Sequence, residues 1–353
     1  MKLLRELLLR PLSFVYGAVT AIRNMLYNNH ILKSKVFPIP VICVGNITVG
    51  GTGKTPHVEY IANLLSKYVD VSVLSRGYRR KSRGFRLVNP RDSALLTGDE
   101  PLQIASSLRQ VTVAVDSDRV SGIKKLMRLS NGRSAVILDD GFQHRSLKAG
   151  LNIILTDYGR LMTRDDLMPY GRLRESLKGL SRAHIIIVTK TPAGISDEEM
   201  TSIEKEIAPG KGQHLFFTSL AYGDLTPVYK SENSGTVEPK KLSMGAGVIL
   251  VTGIANPQPL IKYLSLFTGT IIPITFPDHH YFSELDISKI NERYESLDLK
   301  EKIIITTEKD AVRLKDFTNI ASPLANNFYY LPVRIKFIKN EDLFIKIITD
   351  YAG

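Results

Sequence analysis

Apolar positions along the first two thirds of the chain fall into short β-branched runs, at 39–46, 71–75, 111–115, 135–139, 151–156 and 184–189. Most of them lead into turn or polar residues. Stretches of helical pattern lie between several of them, at 56–67, 101–108 and 120–129. Alternating strand and helix predicts an α/β fold, a mostly parallel sheet flanked by helices. Such sheets place ligands at the carboxyl ends of their strands. The pattern changes near residue 220. The segment "DLTPVYKSENSGTVEPKKLSMGAG" at 224–247 is polar, with scattered Gly, Pro and Ser. It reads as a linker with two extended arms, 225–230 and 236–242, around a Ser-Gly turn. Strand-like runs resume at 248–251, 270–275, 302–307 and 328–333. The expected organisation is an N-terminal segment 1–35, a larger α/β domain 36–223, the linker 224–247 and a smaller α/β domain 248–353.

Residues 1–35 carry a different pattern. Leu3, Leu4, Leu7, Leu8, Pro11, Phe14, Val15 and Ala18 share one helical stripe, with Lys2, Arg5, Glu6 and Ser13 off it. Pro11 is expected to kink this helix or to start a second one. The uncharged run 11–22 is too short to span a bilayer, which takes roughly 20 apolar residues. Three readings stand open: a helix lying in a membrane interface, a helix packed on the domain, or an export signal, whose apolar region Arg10 would interrupt.

Composition narrows the class only a little. A chain of 353 residues implies about two domains. Apolar residues make up 43% and charged residues 23%, as in ordinary globular proteins. The formal net charge of +12 implies anionic partners: nucleic acid, anionic lipid or phosphorylated small molecules. The one cysteine, Cys43, lies in the apolar run "VICVG", so no disulfide forms within the chain and no Cys-based metal site exists.

The stretch "VGNITVGGTGKTP" at 44–56 holds the clearest chemistry. A strand runs into a Gly-rich loop and then a helix, the context of a Walker A motif. The predicted phosphate-binding residues are Thr48, Val49, Gly50, Gly51, Thr52, Gly53, Lys54 and Thr55. The glycines let backbone N–H groups approach phosphate oxygens, and the helix N-terminus adds its positive dipole end. Lys54 would reach the β- and γ-phosphates, and the Thr55 hydroxyl would bind Mg²⁺. Thr48 stands where the motif has its first glycine, which predicts a wider loop. The run "SAVILDDGFQH" then places Asp139 and Asp140 at the carboxyl end of an apolar strand, where one of them would serve as the metal-holding acid.

A guanine-specific switch would carry [NT]-K-x-D. "TKTP" at 189–192 lacks the Asp, and "TEKD" at 307–310 has its Lys one place late. ATP is therefore the expected nucleotide. "TGDEP" at 97–101 presents two acids before a Pro-initiated helix. An acid there could accept a proton from a hydroxyl nucleophile or assist Mg²⁺, or simply favour the helix dipole. In "FPDHHYF" at 276–282, Asp278 beside His279 and His280 could orient an imidazole for proton work, or these could be plain surface residues. Basic groups cluster at 75–84, 116–119 and 169–175, and Arg suits phosphate through its planar fork. Nucleic-acid binding would interleave aromatic residues among them, and Tyr78 alone does not make that pattern.

Together these motifs resemble the tetraacyldisaccharide 4'-kinase (lipid A 4'-kinase) family. The matching pieces are "RPLSFVYG" at 10–17, "VICVGNITVGGTGKTP" at 41–56, "SRGY" at 75–78, "GDEP" at 98–101, "DR" at 118–119, "LDDGFQHR" at 138–145, "GRLRE" at 171–175, "VTGIANP" at 251–257, "DHH" at 278–280 and "TEKDAV" at 307–312. The resemblance implies transfer of the γ-phosphate of ATP to the 4'-hydroxyl of a diglucosamine lipid bearing a 1-phosphate. It implies two α/β/α domains joined by a two-stranded linker, with the site in the cleft between them. The N-terminal helix would dock, as a peripheral anchor, on the cytoplasmic face of the inner membrane, and the chain is expected to act as a monomer without nucleic acid. The roles it implies are Lys54 on the phosphates, Mg²⁺ on Thr55 and Asp139 with Asp140 nearby, and Asp99 as base helped by His279. Glu100 and Glu175 are further carboxylates for metal or substrate. Arg76, Arg119 and Arg174 would hold the substrate and its 1-phosphate, with Tyr78 near the acceptor sugar. The rival classes are a P-loop ATPase that switches conformation for a partner, and a basic nucleic-acid-binding module whose mark would be salt-steep binding.

Overall fold

The computed structural model describes residues 2–130, 132–229, 235–317, 320 and 322–353, with side chains for all of these except 2–5, 322 and 323. Among the described residues the strands form two sheets. The strands are β1 (Val41–Gly45), β2 (Asp70–Ser75), β3 (Arg86–Leu87), β4 (Thr112–Val115), β5 (Ser134–Asp139), β6 (Leu151–Asp157), β7 (Ile185–Thr189), β8 (His214–Tyr222), β9 (Thr226–Pro227), β10 (Gly247–Thr252), β11 (Thr270–Thr275), β12 (Lys302–Thr307), β13 (Phe328–Leu331) and β14 (Val333–Phe337). The helices are α1 (Lys2–Asn28), α2 (Lys54–Leu65), α3 (Ala94–Thr97), α4 (Asp99–Ser107), α5 (Arg119–Leu129), α6 (Asp197–Ile207), α7 (Gln258–Leu264), α8 (Glu284–Glu295), α9 (Glu308–Leu314), α10 (Ser322–Asn326) and α11 (Glu341–Ala352).

The first sheet runs β14-β8-β7-β6-β1-β5-β2-β4-β3. All its pairings are parallel except β3 with β4 and β14 with β8. Strand β1, "VICVG", is buried along its whole length. It reads as an unbroken apolar run because both faces of a parallel sheet are covered. Its neighbour β5 lies in register with Val44 opposite Asp139. The phosphate loop and the paired aspartates therefore emerge side by side from adjacent strand ends, as the α/β reading expected. The second sheet runs β11-β10-β12-β13-β9, parallel apart from β9. We call each sheet with its helices a lobe.

The chain does not divide where the composition changes. Residues 248–353 were expected to form one smaller domain, but β14 and α11 return to the larger lobe. The physical reason is an apolar pattern completed by distant partners. Ile335 and Phe337 of β14 are buried, as are Phe344 and Ile348 of α11. Phe337 and Phe344 pack against Tyr60 of α2 and Phe216 of β8, with ring centroids between 5.3 and 6.2 Å apart, and against each other at 4.7 Å. In the expected linker, Leu225 and Val237 pair as one antiparallel bridge. Lys230 and Ser234, at the arm's end and the expected turn, lie outside the described residues.

Helix α1 also departs from expectation. It is continuous through Pro11. Leu7 and Pro11 are both exposed, so the carbonyl that loses its partner to proline lies on the open side. The apolar stripe faces outward: Leu7, Leu8, Leu12, Phe14, Val15 and Val19 are all more than half exposed. The polar side packs on the lobe. Ser13 is buried and donates to the Leu167 carbonyl at 2.9 Å, and the Tyr16 hydroxyl donates to the Arg174 carbonyl at 2.8 Å. Among the described residues no helix is long and apolar enough to cross a membrane.

Candidate active site

The loop after β1 is held open by a short piece of sheet. Thr48 bridges to Leu173, Val49 N–H donates to the Arg172 carbonyl at 2.8 Å, and Arg174 N–H donates to the Ile47 carbonyl at 2.7 Å. Thr48 is buried in that bridge. A residue in extended pairing needs no glycine, so the threonine that looks irregular in the motif has a structural reason. Glycine is required further on, where Gly50 and Gly53 take φ of 110° and 82°. Gly53 caps α2, whose first residues are Lys54 and Thr55. Thr52 is buried and accepts from Asn46 Nδ2 at 2.9 Å.

The two aspartates differ. Asp139 is 1% exposed, with Oδ2 accepting from Ser75 Oγ at 3.0 Å and Oδ1 buried without a hydrogen-bond partner. Burial, then the nearby charges of Glu100 and Asp140, push its carboxyl up to about 7. Asp140 takes φ of 53° and accepts from Arg174 Nη1 at 2.9 and 3.0 Å, with Lys54 Nζ 3.7 Å away. Burial would raise the Asp140 carboxyl, but Lys54 and Arg174 outweigh it and hold it below the usual range. Among the described residues no three His, Cys, Asp or Glu side chains converge into a metal cage.

A second cluster spans the two lobes. Gly98, with φ of 91°, starts α4 and turns Asp99 and Glu100 toward the smaller lobe. A β-carbon at Gly98 would meet the Tyr78 carbonyl at 3.2 Å, so glycine lets this turn lie against 77–78. Asp99 is buried. Its Oδ2 accepts from His279 Nδ1 at 2.8 Å and from Arg313 Nη2 at 2.6 Å, and its Oδ1 accepts from Glu100 N–H at 3.0 Å. Burial works against the charged form. The His279 hydrogen bond with the charges of Lys309 and Arg313 prevails and holds Asp99 well below the usual carboxylate range. Lys309 Nζ lies 3.0 Å from His279 Nε2 and 3.7 Å from both Glu100 and Asp278. The Tyr78 ring is exposed and meets His279 edge-on at 5.5 Å.

The remaining predicted residues separate. Arg76 is exposed. Arg119 is buried at the start of α5, donates to the Asp116 carbonyl at 2.9 Å, and leaves Nε without a partner. The Asp139, Asp140 and Arg76 charges all act on it, though burial is the largest influence and lowers its basicity. Glu175 is 3% exposed, and its carboxylate accepts from Asn24, Gln143 and Arg182. With those donors filling it, Glu175 holds α1 to the loop and is not presented to an incoming ligand. His280 turns to Asp286 at 3.0 Å, so the paired histidines divide, and His279 alone faces Asp99.

The strand-end glycine loop, the buried aspartate beside it and the Asp99–His279 pair across the cleft stand in a chain that matches one family along nearly its whole length. Residues 5–352 match the family described as Tetraacyldisaccharide-1-P 4'-kinase. The chain belongs to that family. It is 45% identical over 351 residues to the tetraacyldisaccharide 4'-kinase of Bacteroides thetaiotaomicron, covering 98% of this chain and 92% of that protein. The corresponding protein of Flavobacterium psychrophilum is 42% identical over 354 residues, covering 100% of this chain and 98% of that one. A crystal structure of LpxK from Aquifex aeolicus in complex with ATP superposes with a TM-score of 0.73 at 31% identity, covering 99% of this chain and 100% of that chain.

Sequence reasoning about this kinase family member missed several residues of the site. Lys309 stands in "TEKDAV", which carried the resemblance without a role, and Arg313 follows one residue after it. Their spacing of four places both on one face of α9, which was the available signal. Ser75 and Gln143 also stood inside quoted motifs. Nothing in the local sequence pairs them with Asp139 or Glu175.

Proposed function

We propose that the protein transfers the γ-phosphate of ATP to the 4'-hydroxyl of a tetraacyldisaccharide 1-phosphate, a step of lipid A synthesis. The observation that carries this reading is the Asp99–His279 contact across the cleft, with Glu100 near enough for its charge to act on Asp139. This supports a reading in which the phosphate loop and the proton-accepting pair serve one site.

Phosphoryl transfer is mostly positioning and charge neutralisation. Lys54 and the loop N–H groups hold the nucleotide phosphates. The residues suit Mg²⁺: Asp139 has a buried, unpartnered Oδ1, and Mg²⁺ usually takes one or two carboxylates plus phosphate and water rather than a protein cage. Asp139 and Thr55 would hold it, with Asp140 and Glu100 nearby, and it would neutralise phosphate charge. Asp99 and His279 act as a pair. With Oδ2 filled and its basicity depressed, Asp99 orients His279 through Nδ1, and the acceptor's proton goes to the pair at His279 Nε2 once the substrate hydroxyl takes the place of the Lys309 ammonium there. Arg76, Arg119 and Arg174 line the anionic side, and Tyr78 offers an exposed ring beside His279 for the sugar. The outward apolar face of α1 seats the protein peripherally on the cytoplasmic face of the inner membrane, where the lipid substrate lies.

The test uses purified protein, Mg²⁺, γ-labelled ATP and the 1-phosphorylated disaccharide in detergent. Label at the 4' position is expected, with Asp99→Ala losing transfer by roughly 10²–10⁴-fold while still binding ATP. ATP hydrolysis without lipid labelling would favour the partner-switching ATPase instead.

A further inference from the structure

The carbonyl groups of the phosphate loop are tied outward, one after another. Arg160 Nη2 donates to the Val49 carbonyl at 3.4 Å, Lys190 Nζ to Gly51 at 2.5 Å, Thr189 Oγ1 to Thr52 at 2.8 Å, and His57 Nδ1 to Gly53 at 2.7 Å. The Gly50 carbonyl accepts from Thr52 N–H at 3.0 Å. Every carbonyl from Val49 to Gly53 therefore has a donor. The N–H groups of Gly50, Gly51 and Gly53, by contrast, have no acceptor among the described residues.

These facts are linked by the planarity of the peptide. In a trans peptide the C=O and the following N–H point in opposite directions. A carbonyl fixed outward aims the next N–H inward. His57 sets the Gly53–Lys54 peptide. Because a carbonyl only accepts, its Nδ1 carries the proton and Nε2 accepts from Thr218 Oγ1 at 3.0 Å. Lys190 sets the Gly51–Thr52 peptide, whose N–H closes the turn on Gly50 and so aims the Gly51 N–H. Lys190 is itself braced by Asp157 Oδ2 at 2.7 Å and takes φ of 56° at the end of β7. It belongs to "TKTP", whose missing aspartate argued against guanine but left the lysine without a role.

We propose that Lys190 and His57 are positioning residues of the phosphate loop, which aim the Gly51 and Lys54 N–H groups at the nucleotide phosphates by fixing the Gly51 and Gly53 carbonyls. This rests on the reading of the loop as the ATP site. A concave set of backbone N–H groups is an anion nest, and its value depends on being formed before the anion arrives. The contribution of these two side chains therefore grows with the number of phosphates on the ligand.

The experiment is equilibrium binding of ATP, ADP and AMP to the full-length protein with Mg²⁺. Lys190→Met is expected to weaken ATP and ADP by roughly ten- to hundredfold and AMP far less. Lys190→Arg, which can still donate to both oxygens, is expected to keep most of the affinity. The double variant Lys190→Met/Asp157→Asn preserves local charge and should stay weak. His57→Gln should show the same phosphate-dependent loss. An equal loss for all three nucleotides, no loss, or full recovery in the charge-preserving double variant would overturn the proposal. A wild-type protein that does not prefer ATP to AMP would overturn the reading of the site itself, a result distinguishable from failure of the variants alone.

Discussion

Arg313 of the smaller lobe donates to Asp99 of the larger lobe at 2.6 Å, with side chains only 2% and 7% exposed. Arg313 is fixed from behind by Asp310 Oδ1 at 3.1 Å and by the His280 carbonyl at 2.9 Å. The guanidinium thus arrives in one orientation and carries the position of the smaller lobe to the acid that orients His279. Removing one member of a buried pair leaves an unpaired charge, which typically costs about 3–5 kcal/mol. With His279 and Lys309 still facing Asp99, Arg313→Leu should lower the unfolding free energy measured in urea by up to that amount, and Arg313→Leu/Asp99→Asn should recover part of it. A single variant as stable as the wild type would show that the pair does not hold the lobes.

Asp139 sets stability against function. Its carboxyl is pushed up from 3.8 to about 7, so the folded state binds a proton more tightly than the unfolded chain. Stability on this account is lost as pH rises from about 4 to 7 and stays lost above that, by a few kcal/mol in order of magnitude. Asp139→Asn should therefore raise the melting temperature at pH 8 without Mg²⁺ while abolishing transfer. Added Mg²⁺ should raise the wild-type melting temperature and leave the variant unmoved. Equal Mg²⁺ responses in both would remove Asp139 from the metal site.

How far the sequence could be read depended on how local each feature was. The phosphate loop, the aspartates at the end of β5 and the Asp-Glu step that opens α4 lie within short stretches, and their spacing could be read directly. Thr48 could not be explained that way, because its reason is a bridge to Leu173, far along the chain. The return of β14 and α11 to the larger sheet was hidden for the same reason. Their apolar faces are ordinary amphipathic patterns, and only Phe216 and Tyr60 show which sheet completes them. Glu175 stood in a motif shared with Arg174 and looked like a ligand residue, yet its donors come from α1 and from 143 and 182.

A buried carboxylate pair joins four elements away from the chemistry. Glu59 of α2 accepts from Gln103 of α4 at 3.2 Å, and Arg334 of β14 lies 3.5 Å from Glu59 and 3.0 Å from Glu308 of α9. Burial, then the Glu308 charge, raise the Glu59 carboxyl from 4.5 to about 7. The raised value means stability falls as pH climbs through 4.5 to 7, by about 3 kcal/mol in order of magnitude. Glu59→Gln removes the titrating group. The gap in stability between variant and wild type should be small at pH 5 and open in the variant's favour by pH 8. A gap independent of pH would show that Glu59 is ionised throughout.

The outward face of α1 yields a prediction in which folding and membrane binding separate. Phe14 and Val19 are 79% and 61% exposed. Replacing them with Asp should leave the melting temperature unchanged, since surface changes of this kind usually stay within about 0.5 kcal/mol. On vesicles containing anionic lipid the same double variant should bind far less. Burying a large apolar side chain contributes about 1.5–3 kcal/mol, so losing two implies roughly a hundredfold weaker partition or more. Basic Arg10 and Arg23, also exposed on this helix, should make the wild-type binding sensitive to salt. Ser13→Ala tests the opposite face, where the hydroxyl donates to the Leu167 carbonyl and accepts from Tyr170 N–H at 2.9 Å each. It should loosen α1 from the lobe and cost about 1 kcal/mol of stability, with little change in the apolar surface offered to lipid. Unchanged vesicle binding by the Phe14→Asp/Val19→Asp variant would place the membrane contact elsewhere on the protein.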